Sequence, residues 1–266
     1  MLLRKRIRQV LQSNGRRERI IVFGDYGSGK SQVWVDWAKM LRDTGSTAKV
    51  RVICTDMGAE ASTEQYVGWE ENVSVCHVER FDDYVSAVKV ARETDGPEDL
   101  LVVDRSDTAW DAVQSAFSLD VSGKDLDDWA VERLSKGEDN PFIDAHGVSW
   151  GIIKRRYQEK FVGNLIRYPG HLLLCANEKP VVQPSSVNNK GGDPADVRDF
   201  YGTAAMRPGG EKHTGFLMHD IVRLRKKGTG AWVMNTVRAR SRQVVENAPL
   251  TNFVVDYLLT VAGWSV

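Results

Sequence analysis

The amino-acid sequence predicts an α/β protein with a mostly parallel central sheet flanked by helices and a late antiparallel β-hairpin. Three observations support this fold class. Short apolar runs typical of buried strands alternate with segments of helical periodicity. A glycine-rich stretch joins the first apolar run to the first helical pattern. Late in the chain, two strand-like segments are separated by the turn sequence Lys226-Lys227-Gly228-Thr229-Gly230, which is typical of a hairpin.

The sequence divides into three parts. We expect a basic N-terminal arm at 1–17, a core at 18–245 and a C-terminal helix at 246–266. Within the core, an acidic insertion at 105–149 is expected to form short helices and loops. The segment 178–214 is rich in Gly, Pro, Asn and Asp, and loops of this length are usually functional or disordered. It is therefore a candidate binding loop.

Composition bounds the class of protein. Of the 266 residues, 42 % are hydrophobic and 27 % are charged, as in ordinary globular proteins. No apolar run approaches the roughly 18–20 residues of a membrane span, and the N-terminus has no apolar core of the kind a signal peptide requires. Cys54, Cys76 and Cys175 each lie in a strand-like run and form no C-x-x-C pair, which predicts buried packing in a reducing compartment. We expect a cytoplasmic protein with no membrane contact.

Each element of the core follows from its apolar pattern. Continuous or alternating apolar runs predict strands at 19–23, 49–55, 73–78, 100–104 and 171–176. Helical spacing predicts helices at 31–43, from 81 onward, and at 150–168 and 252–261. The hairpin is predicted to pair 215–224 with 231–237.

The stretch between the first strand and the first helix fits G-x-x-x-x-G-K-[ST] at every required position. Its members are Gly24, Asp25, Tyr26, Gly27, Ser28, Gly29, Lys30 and Ser31. Glycines allow a tight loop with inward-pointing N–H groups, and the following helix N-terminus adds partial positive charge. Lys30 would reach the β- and γ-phosphates, and the Ser31 hydroxyl would coordinate Mg²⁺. The motif predicts a nucleotide site, with ATP and Mg²⁺ as cofactors.

Polar residues end or follow three of the predicted strands, where ligands of parallel sheets bind. Asp104 ends the run 100–104 and is predicted to bind the metal or its water together with Ser31. Asp56 follows the second strand, where a residue must stand to touch a water attacking the γ-phosphate. Asn177 follows 171–176 and has two interpretations, a sensor of the γ-phosphate or a turn residue.

The order of these parts resembles the RecA-like ATPases, the group of RecA recombinases and DnaB-type replicative helicases. Residues 55–60, Thr-Asp-Met-Gly-Ala-Glu, look like the helicase segment L-E-M-x-A-E. Residues 101–106 look like the metal-binding strand, and Arg238-Ala239-Arg240 matches the K-x-K or K-x-R pair after the late hairpin. The resemblance covers about 18–242 and implies a P-loop NTPase with a RecA-like core. It also implies a homo-oligomer, ring or filament, with ATP at subunit interfaces.

The resemblance implies roles for single residues. Asp56 would polarise the attacking water and Asn177 would sense the γ-phosphate. Arg238 and Arg240 would act in trans as arginine fingers on a neighbouring subunit. Position 56 carries Asp where the family has Glu, so Glu60 is an alternative base. A solvated edge strand is the alternative interpretation of the arginines in 238–242.

A compact core of this size most resembles the phage-encoded RecA-like single-strand annealing recombinases. That resemblance implies a DNA-stimulated ATPase that binds single-stranded DNA in recombination or annealing, in the cytoplasm of the host cell. Basic residues of the loop 178–214, Lys190 and Arg198, and the cluster Lys154–Arg156 are candidate DNA contacts. The alternative is an ATP-driven ring helicase or translocase, or a helicase-loading ATPase, with replication or recombination proteins as partners. A small-molecule kinase is disfavoured because the arginine pair so late in the chain suits an intersubunit finger better.

Overall fold

The structure of the protein is a computed structural model that describes residues 17–55, 70–137, 148–184, 192–239 and 243–264. Its strands are β1 (Arg19–Gly24), β2 (Val50–Cys54), β3 (Val73–His77), β4 (Leu100–Asp104), β5 (His171–Pro180), β6 (Met206–Pro208), β7 (Asp220–Lys226), β8 (Trp232–Ala239) and β9 (Ala248–Leu250). Its α-helices are α1 (Lys30–Asp43), α2 (Phe81–Thr94), α3 (Ser106–Ser122), α4 (Leu126–Ser135), α5 (Val148–Tyr157), α6 (Gly163–Ile166) and α7 (Ala195–Tyr201). A π-helical stretch, Gln158–Val162, joins α5 to α6, and a second one, Val254–Leu259, lies near the C-terminus.

The strands form one sheet in the order β3-β2-β4-β5-β1-β7-β8-β9, with β6 paired to the end of β5 outside this path. All neighbours from β3 to β7 along this order are parallel. The pairs β7–β8 and β8–β9 are antiparallel. The predicted fold class, an α/β protein with a mostly parallel sheet, flanking helices and a late antiparallel hairpin, is confirmed.

Two hydrophobic layers enclose the sheet, because successive strand residues point to opposite faces. On β1, Ile20 and Val22 join one cluster and Ile21 and Phe23 join the other. The first cluster is completed by α1 and the C-terminal π-helical stretch, and the second by α2, α3 and the α5–α6 segment. Burial on both faces explains why the central strands are continuous apolar runs. Their parallel pairing places their carboxyl ends along one edge of the sheet.

The predicted insertion at 105–149 is wrong in its first part. Ser106–Ser122 is one 17-residue helix, and it places Ala109, Val113 and Phe117 in the second cluster. These apolar residues form a narrow stripe among many Ser and Asp residues. The helical periodicity of 106–122 is therefore weak in the sequence. The helix belongs to the core, and residues 138–147 lie outside the described residues.

Three other predictions near the C-terminus need correction. The segment 178–214 holds the end of β5, α7 and β6, so its described part is largely structured. The hairpin pairs Asp220–Lys226 with Trp232–Ala239, and Thr214–Leu217 forms a 3₁₀ turn before it. The segment 246–266 begins with β9, which pairs with β8, and only then turns helical.

The cysteine prediction holds at two positions and fails at one. Cys54 and Cys175 are buried, whereas Cys76 is exposed because β3 is the edge strand of the sheet. Within the described ranges, no helix is long and apolar enough to cross a membrane. The N-terminal arm before residue 17 lies outside the described residues.

Candidate functional site

The glycine-rich loop connects the end of β1 to the start of α1 at the carboxyl edge of the sheet. Its first residue, Gly24, pairs with Asn177 at the level where β5 lies beside β1. Asp104, the last residue of β4, pairs in turn with Cys175 of β5. The carboxyl ends of β1, β5 and β4 are therefore neighbours, and they place three of the predicted site residues along one edge.

Close packing and backbone geometry require glycine at two positions of this loop. A Cβ on Gly24 would lie 2.2 Å from the carbonyl oxygen of Leu224 on β7, so only glycine allows that approach. Gly29 has φ of 90° and occupies the N-cap of α1 without a side-chain cap. The first N–H groups of α1 thus have no side-chain acceptor at the cap, as expected of an anion-binding helix start.

Lys30 is the buried cation of the loop. Its ammonium donates hydrogen bonds to the carbonyl oxygens of Gly24 at 3.0 Å and Asp25 at 2.9 Å. Burial lowers the pKa of Lys30, and the nearby Asp104 carboxylate acts in the opposite direction. An ammonium has three donors, so these two bonds hold it across the loop with one donor remaining.

Asp104 is a buried carboxylate at the end of β4, 4 % exposed. Its Oδ2 accepts a hydrogen bond from the indole Nε1 of Trp34 at 3.3 Å. Trp34 lies one helical turn after Lys30 on α1, so the indole ties the start of this helix to β4. Asp104 and Ser31, which the sequence predicts to share a metal ion, both line one cavity of about 470 Å³.

Asn177 lies at the end of β5 and lines the same cavity. Its side-chain Oδ1 is buried and has no hydrogen-bond partner among the described residues. Buried polar atoms are nearly always satisfied, so an unpartnered amide in a cavity indicates a place where a ligand or water bonds. Either the oxygen or the NH₂ group can be turned toward such a ligand.

Arg105 is a site residue that the sequence reasoning did not single out, although it directly follows Asp104. It lines the cavity and its Nη2 lies 2.9 Å from Asp107 Oδ2. Its guanidinium carbon lies 5.9 Å from the centre of the Tyr26 ring. The hydrogen bond to Asp107 raises the pKa of Arg105, and an arginine side chain is always protonated in proteins, so Arg105 places a full positive charge beside the loop.

Trp232, the first residue of β8, is the second residue that was missed. Its indole Nε1 donates to the carbonyl oxygen of Gly27 at 3.2 Å, and a Cβ on Gly29 would lie 3.7 Å from the ring. Leu250 and Phe253 line the cavity on the same side. Trp232 of the hairpin, together with Leu250 and Phe253, thus forms an aromatic and apolar side of the cavity next to the glycine-rich loop.

Two predicted catalytic residues, Asp56 and Arg240, lie outside the described residues, as do Glu60 and Lys190. Thr55, just before Asp56, donates its backbone N–H to the Asp104 carbonyl oxygen at 3.1 Å. Thr55, the last described residue before this gap, therefore lies beside the end of β4.

Arg238 lies away from the loop of its own chain, level with the middle of β1. It pairs with Ile221, which pairs with Ile21, three residues before Gly24. At about 3.3 Å per residue, this is roughly 10 Å below the start of the loop. Its Nη1 donates to the Phe216 carbonyl oxygen at 3.1 Å, and its guanidinium carbon lies 5.0 Å from the centre of the Phe200 ring. Its action on a neighbouring subunit stays a prediction.

The candidate DNA contacts fall on separate elements. Lys154 and Arg155 are exposed on α5, whereas Arg156 pairs with Asp120 and lies over the Phe81 ring. Arg198 lies on α7 and is half-buried. The structure therefore leaves Lys154 and Arg155 as the most accessible basic pair of these candidates.

The described residues hold no group of three or more His, Cys, Asp or Glu side chains suited to a metal ion. A magnesium ion that takes ligands from phosphate and water needs no such group, so the pair Ser31 and Asp104 keeps its predicted role as a hypothesis. No protein-family model matches the sequence, and no curated protein matches it.

Proposed function

We propose that this chain binds ATP with Mg²⁺ on the loop 24–31 and hydrolyses it, as a RecA-like P-loop ATPase. The observation that carries the proposal is the convergence of Lys30, Ser31, Asp104 and Asn177 on one cavity at the carboxyl ends of β1, β4 and β5. Asp104 and Asn177 are far from the loop in sequence, and a chance match to a phosphate-binding motif would give no reason for them to lie beside it.

The electrostatics of the loop suit a triphosphate. Lys30 supplies one buried positive charge, and the start of α1 supplies N–H donors without a side-chain cap. A polyphosphate carries several negative charges, and backbone N–H groups together with a cation bind it without bulky side chains. Lys30 would move its donors from the loop carbonyls to the β- and γ-phosphate oxygens.

The residues present fit a magnesium ion. Ser31 Oγ and the Asp104 carboxylate are hard oxygen ligands, and both line the cavity. Mg²⁺ prefers such ligands and keeps several waters or phosphate oxygens. When bound, the ion neutralises charge on the β- and γ-phosphates. Trp34 would fix the Asp104 carboxylate through its indole N–H.

For hydrolysis, water must be aligned with the γ-phosphate. Asn177 presents a side-chain amide with a buried oxygen to the cavity at the end of β5. This amide would donate to the γ-phosphate or orient the water. Asp56 would accept the proton of the attacking water, with Glu60 as the alternative. Both carboxylates follow β2, which is adjacent to β4 in the sheet.

We extend the proposal to single-stranded DNA and to a homo-oligomer in the cytoplasm of a host cell, as the likeness to phage annealing recombinases implies. The exposed Lys154 and Arg155 on α5 are available for phosphate contacts. Arg238 lies two strands from β1 and roughly 10 Å below the start of its own loop, so we assign it to an ATP phosphate on another copy of the chain. A head-to-tail assembly meets this requirement.

The experiment is ATP turnover by the wild type and Lys30→Ala, with and without single-stranded DNA, together with sedimentation. We expect DNA-stimulated turnover by a large assembly, lost in Lys30→Ala. Lys89→Ala is the matched control, because Lys89 is exposed on α2 and is expected to leave turnover unchanged. Turnover by a monomer that DNA does not alter would refute the DNA and oligomer parts, and equal turnover in Lys30→Ala would refute the nucleotide site.

Salt dependence gives a second test of the DNA part. A complex built on phosphate contacts loses affinity steeply as salt rises. We expect the Lys154→Ala and Arg155→Ala variants to bind DNA more weakly and with a shallower salt slope. Strand displacement with directional translocation by the wild type would favour the ring motor over the annealing protein.

A further inference from the structure

The cavity at the glycine-rich loop has two chemically different ends. On the β8–β9 side it is lined by Trp232, Leu250 and Phe253, and on the β4–β5 side by Asp104, Arg105 and Asn177. The sheet order β4-β5-β1-β7-β8 places the loop between these two ends. A nucleotide whose phosphates lie on the loop would direct its base toward the apolar end and its last phosphate toward the charged end.

Arg105 is the cation of the charged end. Its guanidinium lies between the start of α3, where Nη2 bonds Asp107 at 2.9 Å, and the Tyr26 ring in the first half of the loop. The side chain is 23 % exposed, so it is largely fixed but open to the cavity.

Asp107 holds Arg105 in place. The Asp107 carboxylate is 6 % exposed, and its Oδ1 also accepts from the backbone N–H of Asn177 at 3.4 Å. Gly209 packs against it so closely that a Cβ there would lie 3.0 Å from the Asp107 Cβ. A carboxylate confined in this way orients the guanidinium in advance, which reduces the entropy lost on binding an anion.

We propose that Arg105 binds the terminal phosphate of the nucleotide within its own chain and thereby makes the site prefer triphosphates to diphosphates. Asp107 is its positioning residue. A guanidinium presents donors in a planar fork that matches phosphate oxygens, and such charge-assisted bonds are strong. The inference rests on the proposed nucleotide site, but it needs no neighbouring subunit and no action of Arg238 or Arg240.

The test is calorimetric titration of ATP and ADP, each with Mg²⁺, into the wild type, Arg105→Ala and Arg105→Lys. Removal of a hydrogen bond to a charged group predicts ATP binding weaker by roughly 10- to 100-fold in Arg105→Ala, with ADP changed by less than about threefold. Arg105→Lys should be intermediate. Arg167→Ala is the control, because Arg167 is an exposed arginine that follows α6, outside the cavity, and should change neither affinity.

The ratio of the ATP and ADP affinities is decisive, because a residue that only stabilises the fold would not change it. Equal losses for both nucleotides in Arg105→Ala, or no loss for either, would overturn the inference while leaving the nucleotide site intact. A wild type that binds neither nucleotide would overturn the site and the inference together. Because Arg105→Ala leaves the buried Asp107 carboxylate without its cationic partner, the double variant Arg105→Gln with Asp107→Asn must show the same ATP-specific loss.

Discussion

Substitution of Trp232 separates the contribution of the nucleotide base to ATP binding from the contribution of the phosphates. The indole lies against the loop, with Nε1 3.2 Å from the Gly27 carbonyl oxygen, and with its ring close to Gly29. Pairing of Trp232 with Lys226 and Leu250 fixes this position at the hairpin end. If the indole face supports the base, Trp232→Ala removes both a stacking surface and a hydrogen bond to the loop.

The two contributions have different sizes. Stacking of a base on an aromatic side chain is worth about 1–3 kcal/mol, which corresponds to roughly 5- to 150-fold in affinity. A single hydrogen bond between neutral groups contributes about 0.5–1.5 kcal/mol. Trp232→Phe keeps a ring but lacks the N–H, so it should lose only the smaller contribution.

The assay compares ATP with inorganic triphosphate, which has no base, by calorimetric titration of the wild type, Trp232→Ala and Trp232→Phe. We expect Trp232→Ala to weaken ATP binding by roughly 5- to 150-fold or more, and triphosphate binding by no more than about tenfold. Trp232→Phe should weaken both ligands by similar small factors. Equal losses for ATP and triphosphate in Trp232→Ala would refute the assignment of the apolar end to the base.

Two further predictions concern stability, and both are measured by urea unfolding. In Gly24→Ala the new Cβ would lie 2.2 Å from the Leu224 carbonyl oxygen, so we expect the free energy of unfolding to fall by about 1–3 kcal/mol. Gly151→Ala is the control, because a Cβ there has no neighbour within 4 Å, and it should be neutral or stabilising. Equal effects of the two substitutions would contradict the packing argument. Burial lowers the pKa of His171 to about 4 from an ordinary 6.5, so the unfolded chain takes up this proton first as the pH falls. Stability should therefore decrease between pH 6.5 and 4, by up to about 3 kcal/mol from this group at about 1.4 kcal/mol per pH unit. His171→Asn should remove that part of the pH dependence, and identical pH profiles for the two proteins would show that the reasoning is wrong.

The strands of the parallel sheet were predictable because burial on both faces leaves continuous apolar runs. The runs 100–104 and 171–176 became β4 and the first part of β5, and the polar residues at their ends lie where parallel strands place ligands. The short strands β6 and β9 carry no such run. Each is three residues long, and pairing with a neighbouring strand, not local sequence, decides its conformation.

The site residues that belong to a local motif could be predicted from the sequence. The site residues that distant elements bring to the cavity could not. Lys30, Ser31 and Asp104 follow from the loop pattern and from the end of a buried strand. Trp232 reaches the loop only because the hairpin turns back at the carboxyl edge of the sheet. The role of Arg105 depends on Asp107, whose position is set by contacts with Asn177 and Gly209, and no sequence periodicity reports such contacts.

The register of β8 also limits what Arg238 can do. The sequence pattern pairs Arg238 with Arg240 as arginine fingers, and the sheet places Arg238 away from the loop of its own chain. A role at the phosphates therefore requires a second copy of the chain. Arg105 requires no second copy. In a monomer, Arg105 would therefore still bind the terminal phosphate, whereas Arg238 would not contact the nucleotide.

The most direct measurement of the central claim is calorimetric titration of Mg²⁺-ATP into the wild type, Lys30→Ala and the surface control Lys89→Ala. Lys30 donates to the loop within the cavity, so its loss should weaken ATP binding by roughly 10- to 150-fold, with the wild type and Lys89→Ala binding alike. Equal ATP affinity in all three proteins, or no binding by the wild type, would contradict a phosphate-binding role for the loop 24–31.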